Sequence, residues 1–342
     1  MRISSSAPAR VDLAGGTLDI WPLYLFHEDA QTVNFAIDLP ASCTIETTTG
    51  SAIHLVSRDL GREESFPNLS ALLKAKKYQL PLVALLIRYF ASVAPMPGGF
   101  KLITDCKSPA GAGIAGSSAL NIALCGALNR LTGLRLSLPA LQNIAKNVEA
   151  QVIRVPTGEQ DYFPAMYGGL NAIRLTPGGI VVDKLRTDLA AFERRVVLCY
   201  TGAPRQSGIN NWEVTKAHID GNKQVIRNFE RIAEIARAMR GALEGNDWND
   251  VARLLREEWQ NRRKNAPGIS TPLIDHLIAA ARRNGALAAK VCGAGGGGCV
   301  LFFTADGAKD RVSETLRREG ARVLDVHVAQ RGLTVTRSSA PG

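Results

Sequence analysis

The segment Pro109-Ala110-Gly111-Ala112-Gly113-Ile114-Ala115-Gly116-Ser117-Ser118 constrains this chain more than any other stretch. Its glycines interrupt regular structure, and a clear helical pattern follows at once. Leu120, Ala123, Leu124, Ala127, Leu128 and Leu131 recur at three- and four-residue spacing. Phe100–Thr104 just upstream reads as a strand. Such a junction gathers free backbone amides and the positive end of a helix dipole at one point, which suits an anion such as phosphate. Ser117 and Ser118 stand where a hydroxyl can cap the helix or reach a phosphate oxygen or magnesium. Taken alone, the segment is equally a glycine-rich turn with a serine cap.

Gly111, Gly113 and Gly116 also match the GxGxxG spacing of dinucleotide folds. Those folds place an acid about 20 positions further on to hold the ribose, and no Asp or Glu occurs between Ser117 and Val148. A Walker A loop is excluded because the chain contains no Gly-Lys dipeptide. A second run, Gly293-Ala294-Gly295-Gly296-Gly297-Gly298, is flanked directly by apolar strand-like segments. So much glycine is costly to order, and close backbone approach to a ligand or to another part of the chain explains it better than a linker.

Around these loops the pattern is mixed. The first half predicts strands near the N-terminus, over 31–49 and 51–57, and over 168–175 and 179–182. It predicts helices over 69–94, interrupted near Pro81, and over 138–153. The second half opens on the strand Arg195–Tyr200, continues with long charged helices over 210–241, 246–264 and 271–284, and ends with strands around 288–292 and 299–303. Two α+β domains are expected, dividing at 185–192 (1–188 and 189–342), with a frayed tail after about Thr336.

The 41 Lys and Arg outnumber 31 Asp and Glu, a net charge of +10 that favours anionic partners. The basic residues are scattered, and clusters such as Arg262-Arg263-Lys264 read as solvated helix faces, so no nucleic acid is expected as a partner. The stretch Leu80–Ala94 is broken by Arg88 and too short to span a membrane, so no membrane partner is expected. The six cysteines form no CxxC pair or zinc spacing. They read as reduced thiols, and a cytoplasmic location is expected.

The two loops and a third segment, Ala7-Pro8-Ala9-Arg10-Val11-Asp12-Leu13-Ala14-Gly15-Gly16-Thr17-Leu18-Asp19, together resemble the GHMP kinase superfamily (galactokinase, homoserine kinase, mevalonate kinase, phosphomevalonate kinase). The third segment is similar to the family's first motif in the version found in fucokinases and heptose 7-phosphate kinases. Residues 109–118 look like its ATP-binding second motif, and Lys290–Cys299 like its third. All three stand in the family's order over nearly the whole chain. The resemblance implies an α+β fold of two domains: a half like ribosomal protein S5 domain 2, a ferredoxin-like half, and an active site in the cleft between them.

The resemblance also implies roles. Pro109, Gly111, Ala112, Gly113, Ile114, Ala115, Gly116, Ser117 and Ser118 would bind ATP. Ser118 and Glu149 would hold Mg2+. Asp161, in Gly158-Glu159-Gln160-Asp161, would handle the hydroxyl proton, and Arg10 would stabilise the transferring phosphoryl group. Thr17, Asp19, Gly168, Gly169, Arg205, Gly295 and Gly296 would bind substrate. Each has a blander reading: Asp161 as a helix cap, Glu149 as a solvated helix residue, Arg10 as a surface arginine, Asp19 as a turn acid, Arg205 as an interdomain salt bridge. Three positions depart from the family pattern: Thr17-Leu18-Asp19 within the first motif, Ala115 where glycine is usual, and Tyr162 where Gln is usual. Tyr200–Ser207 and Trp259–Ile274 look like stretches of heptose kinases. The expected protein is an ATP- and Mg-dependent kinase of a small-molecule sugar or sugar phosphate, heptose 7-phosphate or fucose-like, acting at the anomeric hydroxyl. It is expected as a monomer or homodimer. A galactokinase-like enzyme and a non-catalytic sensor of the same fold stand as alternatives.

Overall fold

The computed structural model describes residues 1–204 and 207–339, with backbone alone over 207–211. The first part of the chain runs β1 (Arg2–Ala14), a 3-10 turn at Leu23–Phe26, β2 (Gln31–Thr48), β3 (Ile53–Ser57), β4 (Arg62–Phe66), α1 (Leu69–Lys74), α2 (Pro81–Val93) and β5 (Gly99–Cys106). It continues with α3 (Gly116–Thr132), α4 (Leu138–Ile153), α5 (Tyr162–Tyr167), β6 (Leu170–Thr176) and β7 (Gly179–Lys184). Then follow α6 (Leu189–Glu193), β8 (Val196–Tyr200), α7 (Ser207–Ile219), α8 (Lys223–Glu244), α9 (Trp248–Arg262) and α10 (Pro272–Arg283). The chain closes with β9 (Ala286–Val291), β10 (Cys299–Thr304), α11 (Lys309–Arg318), β11 (Arg322–Leu324) and β12 (Thr334–Ser338).

Eight strands make one sheet, in the order β12-β1-β2-β5-β3-β4, with β6 and β7 extending from β2. The long β2 can serve three neighbours because β5 takes its second half, from Ala41 to Thr48, and β6 its first, from Gln31 to Phe35. Burial along β2 shows the same division. Residues 31–37 are all buried, while Ala41, Cys43 and Ile45 alternate with less buried neighbours. Continuous burial belongs to a strand covered on both faces, alternation to one covered on a single face. One face of the sheet packs on α2, α3 and α4 through residues such as Ile45, Leu102, Ile122 and Phe90. The other face buries Val11, Leu13, Val33 and Phe35 against Leu198, Leu301, Phe303, Met239 and Leu255 of the second sheet and its helices.

The second sheet has the order β11-β8-β10-β9, antiparallel throughout. With helices between β8 and β9 and between β10 and β11, this is the β-α-β-β-α-β succession of a ferredoxin-like unit. The mixed two-part α+β architecture is the one expected. Some local expectations change. The predicted helix over 210–241 is two helices, because Gly221 adopts a left-handed φ of 81° and Asn222 caps α8. Of the tail expected to fray after about Thr336, Arg337 and Ser338 belong instead to β12, paired with β1 from Arg2↔Ser338 to Ser6↔Thr334, and residues 340–342 lie outside the described residues. Among the described residues, no helix is long and apolar enough to cross a membrane.

Candidate active site

The first glycine loop forms one wall of a cleft of about 660 Å³, within the range of small-molecule sites. The cleft extends from Asp161 and Gly158, past Glu149 and Ser117, to Arg62 and the start of α2. Gly111, Gly113 and Ala115 take left-handed φ of 68°, 79° and 58°, and Ala115 is the residue that caps α3. The first helical bond runs from Ala119 N to Ala115 O at 2.9 Å. The amides of Gly116, Ser117 and Ser118 therefore lie outside the helix ladder. Gly116 has a reason of its own: a Cβ there would sit 2.4 Å from Ser108 Oγ. Its lack of a side chain lets α3 start against the end of β5.

Neither serine caps the helix, because no side chain bonds its first turn. Both hydroxyls turn to Glu149. Ser117 Oγ donates to Oε1 at 2.8 Å and Ser118 Oγ to Oε2 at 3.0 Å. Tyr162 Oη donates to Oε2 at 2.8 Å. Glu149 is thus a buried carboxylate surrounded by hydroxyls, and burial raises its pKa. The same contact explains Tyr162, whose departure from the family pattern gives Glu149 a hydroxyl partner.

Arg10 lies on β1, buried, and not on the surface. Its Nε donates to Asp161 Oδ1 at 2.9 Å and its Nη1 to Gly113 O at 3.0 Å. Asp161 precedes α5 but makes no side-chain cap, since its carboxylate is engaged by Arg10. Asp19 is also buried. Thr17 N donates to its Oδ1 at 3.1 Å and Gln160 N to its Oδ2 at 3.0 Å. Gly158 makes this fit possible, because a Cβ there would meet Asp19 Oδ2 at 2.1 Å. Burial, reinforced by the nearby Asp161 charge, pushes the Asp19 carboxyl up to about 6.

The second glycine run approaches the first through its backbone. Cys299 N donates to Ala112 O at 2.7 Å, and a Cβ on Gly298 would lie 2.6 Å from that oxygen. Gly295 presses on Ile269, where a Cβ would lie 2.7 Å from the Ile269 carbonyl oxygen, and Gly296 N donates to Ile269 O at 2.9 Å. Gly168 and Gly169 lie elsewhere. They meet the segment 329–331, with Gly169 N donating to Ala329 O at 2.7 Å, and they do not line the cleft. Gly168 gives room to that returning chain, whereas Gly169 is accounted for by its left-handed φ of 71°. Arg205 lies outside the described residues.

Several neighbours escaped sequence reading. Arg262, expected on a solvated face, is buried: it donates to Asp12 Oδ2 at 3.2 Å and to Thr17 Oγ1 at 3.3 Å. Lys290 and Glu258 are buried with it. Spacing gave one hint, since Arg10 and Asp12 stand two apart on a strand and so share a face. The helical acid Glu258 and base Arg262 gave none, because charge along a helix usually means solvent.

The comparisons agree with this architecture. The model for "GHMP kinases N terminal domain" matches residues 78–169, and that for "GHMP kinases C terminal" matches residues 225–322. The chain is 26% identical over 335 residues to the D-glycero-alpha-D-manno-heptose 7-phosphate kinase of Campylobacter jejuni, covering 97% of this chain and 98% of that protein. A D-glycero-D-manno-heptose 1-phosphate kinase from Bacteriodes thetaiotaomicron superposes with a TM-score of 0.81 at 24% identity, covering 99% and 100% of the two chains. Lactococcus lactis galactokinase, complexed with galactose, superposes at 0.78 with 18% identity, covering 98% and 95%. With one family model matching either part of the chain and the whole architecture shared, this chain is a kinase and belongs to the GHMP kinase family.

Proposed function

We propose that the protein transfers the γ-phosphoryl group of ATP to a sugar or sugar phosphate, with a heptose 7-phosphate preferred and the anomeric hydroxyl as acceptor. The observation that carries this reading is convergence: Asp161 lines the cleft whose wall is the 109–117 loop, Arg10 is bonded to Asp161 from behind, and buried Asp19 is bonded to the neighbouring Gln160. The similarity to heptose phosphate kinases over nearly the full chain supports the substrate class.

In this reading the backbone of Pro109–Ser118 receives the phosphates, since amides at a helix start favour anions. Glu149 and Ser118 fit a magnesium ion: among the described residues the hydrogen-bond partners of this buried carboxylate are hydroxyls and not a cation. Oxygen donors of this kind suit Mg2+ beside nucleotide phosphates, where the ion neutralises phosphate charge. Asp161 faces the cleft and orients the acceptor hydroxyl or takes its proton. Arg10 supplies fixed positive charge where negative charge develops. Asp19, Thr17 and the Gly295–Gly296 backbone are proposed to meet the sugar.

The test is an ADP-release screen over hexoses, heptoses and their phosphates. Turnover with a sugar acceptor is expected. Absence of acceptor-dependent ADP release throughout such a panel would overturn the reading.

A further inference from the structure

A line of charged side chains runs from the cleft into the joint between the two sheets. Arg10 lies between two carboxylates, Asp161 at the cleft on one side and Asp12 Oδ1 at 3.9 Å on the other. Asp12 is divided in its duties. Its Oδ2 is held by Lys290 Nζ at 2.7 Å and by Arg262 Nη1 at 3.2 Å. Its Oδ1 is thereby turned towards Arg10 and towards the amide of Gly293, 3.4 Å away, where the second glycine run begins. Lys290 has no solvent exposure. Its ammonium donates to Asp12, to Glu258 Oε1 at 3.3 Å and to Leu13 O at 3.4 Å, so all three protons are used. Arg262 completes the arrangement by donating to Thr17 Oγ1 and Gly293 O.

Arg10, Arg262 and Lys290 balance Asp12, Asp161 and Glu258 in formal charge. Buried ion networks add little stability over apolar packing of the same volume, and are costly when one member is lost. A purely structural joint between two sheets is better made of the leucines and phenylalanines that surround this one. What the network supplies is direction. It connects β1, the Thr17 turn, α9, β9 and the second glycine run through bonds of fixed geometry.

We propose that Lys290 is a positioning residue for phosphoryl transfer: by fixing the rotation of Asp12, it holds the Arg10 guanidinium and the start of the second glycine run in one frame. The proposal rests on the kinase reading above, because it assigns Arg10 to the transferring group. It also makes a geometric claim that stands apart from turnover.

Two variants of the full chain separate positioning from mere stability. Lys290→Met leaves Asp12 without its main cation; the Asp12→Asn/Lys290→Met pair removes one charge of each sign. In Lys290→Met the urea midpoint falls, and kcat falls on the order of 100-fold, the scale expected when a reacting group is misplaced by about 1 Å. Affinity for a non-hydrolysable ATP analogue, measured by calorimetry, changes little, because Lys290 does not touch the 109–118 loop. In the double variant the midpoint recovers towards wild type while kcat stays low. Recovery of kcat together with the midpoint would show that the network serves stability alone, and would overturn the proposal. If the wild-type protein shows no sugar-dependent ADP release, the kinase reading fails on that result. The positioning claim is then decided by amide exchange at Gly293 in the double variant. Exchange about tenfold or more faster than wild type, at a recovered midpoint, supports it; unchanged exchange overturns it.

Discussion

Single residues at this site sit in environments that fix their behaviour. Asp161→Asn keeps the shape and a hydrogen-bond acceptor for Arg10 but removes the charge. It is expected to lower kcat by roughly 10²–10⁴-fold, the usual range for a positioned acid or base, with ATP affinity preserved; steady-state ADP release checks this. Asp19 offers a pH signature. Its folded-state pKa lies above the ordinary 3.8, at about 6. Between those values the folded protein binds more protons than the unfolded chain, so the Asp19 contribution to stability falls as pH climbs from about 4 to about 6. The difference amounts to roughly 2–3 kcal/mol. Asp19→Asn should remove that fall, which urea denaturation of both proteins across pH 4–7 will show, while sugar-dependent turnover is lost. Ala115 takes a left-handed φ of 58° where glycine is cheaper. Ala115→Gly is expected to gain on the order of 0.5–1 kcal/mol, after the entropy of the unfolded glycine is subtracted.

At the scale of elements, the contact between the two glycine runs decides the shape of the cleft. Gly298→Ala places a Cβ 2.6 Å from Ala112 O at a φ of 80°, so either the second run or the first glycine loop must move. A loss of about 1–3 kcal/mol and a raised KM for ATP are expected, read from denaturation and initial rates. Much of this layer was legible in the sequence. The strand–loop–helix over 100–132, helix α4 and the breaks at Pro81 and after Arg283 follow from periodicity and punctuation. Of the residues the family's motifs singled out, Glu149 and Asp161 line the cleft, while Arg10 and Asp19 are buried beside it, bonded to Asp161 and Gln160. Other features were not legible, each for a physical reason. Gly168 and Gly298 answer to backbone atoms, and Gly158 to the Asp19 carboxylate, all far away in sequence, and no local pattern encodes so distant a neighbour. Ser117 and Ser118 looked like caps because capping is local, yet a carboxylate 31 residues on from Ser118 captured them. Arg262 was misplaced because its partner Asp12 lies 250 residues away.

At the scale of the whole molecule, the division after residue 188 is a proposal about organisation and not about independent folding. The second sheet contributes Leu198, Leu301 and Phe303 to the core that covers Val11, Val33 and Phe35. Residues 1–188 expressed alone would expose that face, leave Asp12 without Lys290 and Arg262, and strip β1 of its outer neighbour. No cooperative urea transition is expected for that fragment, whereas the full chain should show one; a sharp transition in the fragment would show that the first sheet is self-sufficient.

The return of β12 to β1 also sets an order in time. Translation proceeds at roughly 5–20 residues per second, so β1 emerges on the order of half a minute before the strand that flanks it. Lys290, which secures Asp12 from within, emerges nearly as late. Arg10 and Asp12 therefore belong to a strand whose first residues, Arg2 to Ser6, wait for their outer neighbour while nearly everything else is made. The Asp12 end of the site is completed only late in synthesis, when Lys290 has been made, and a chain stopped before that point is expected to carry no working kinase site.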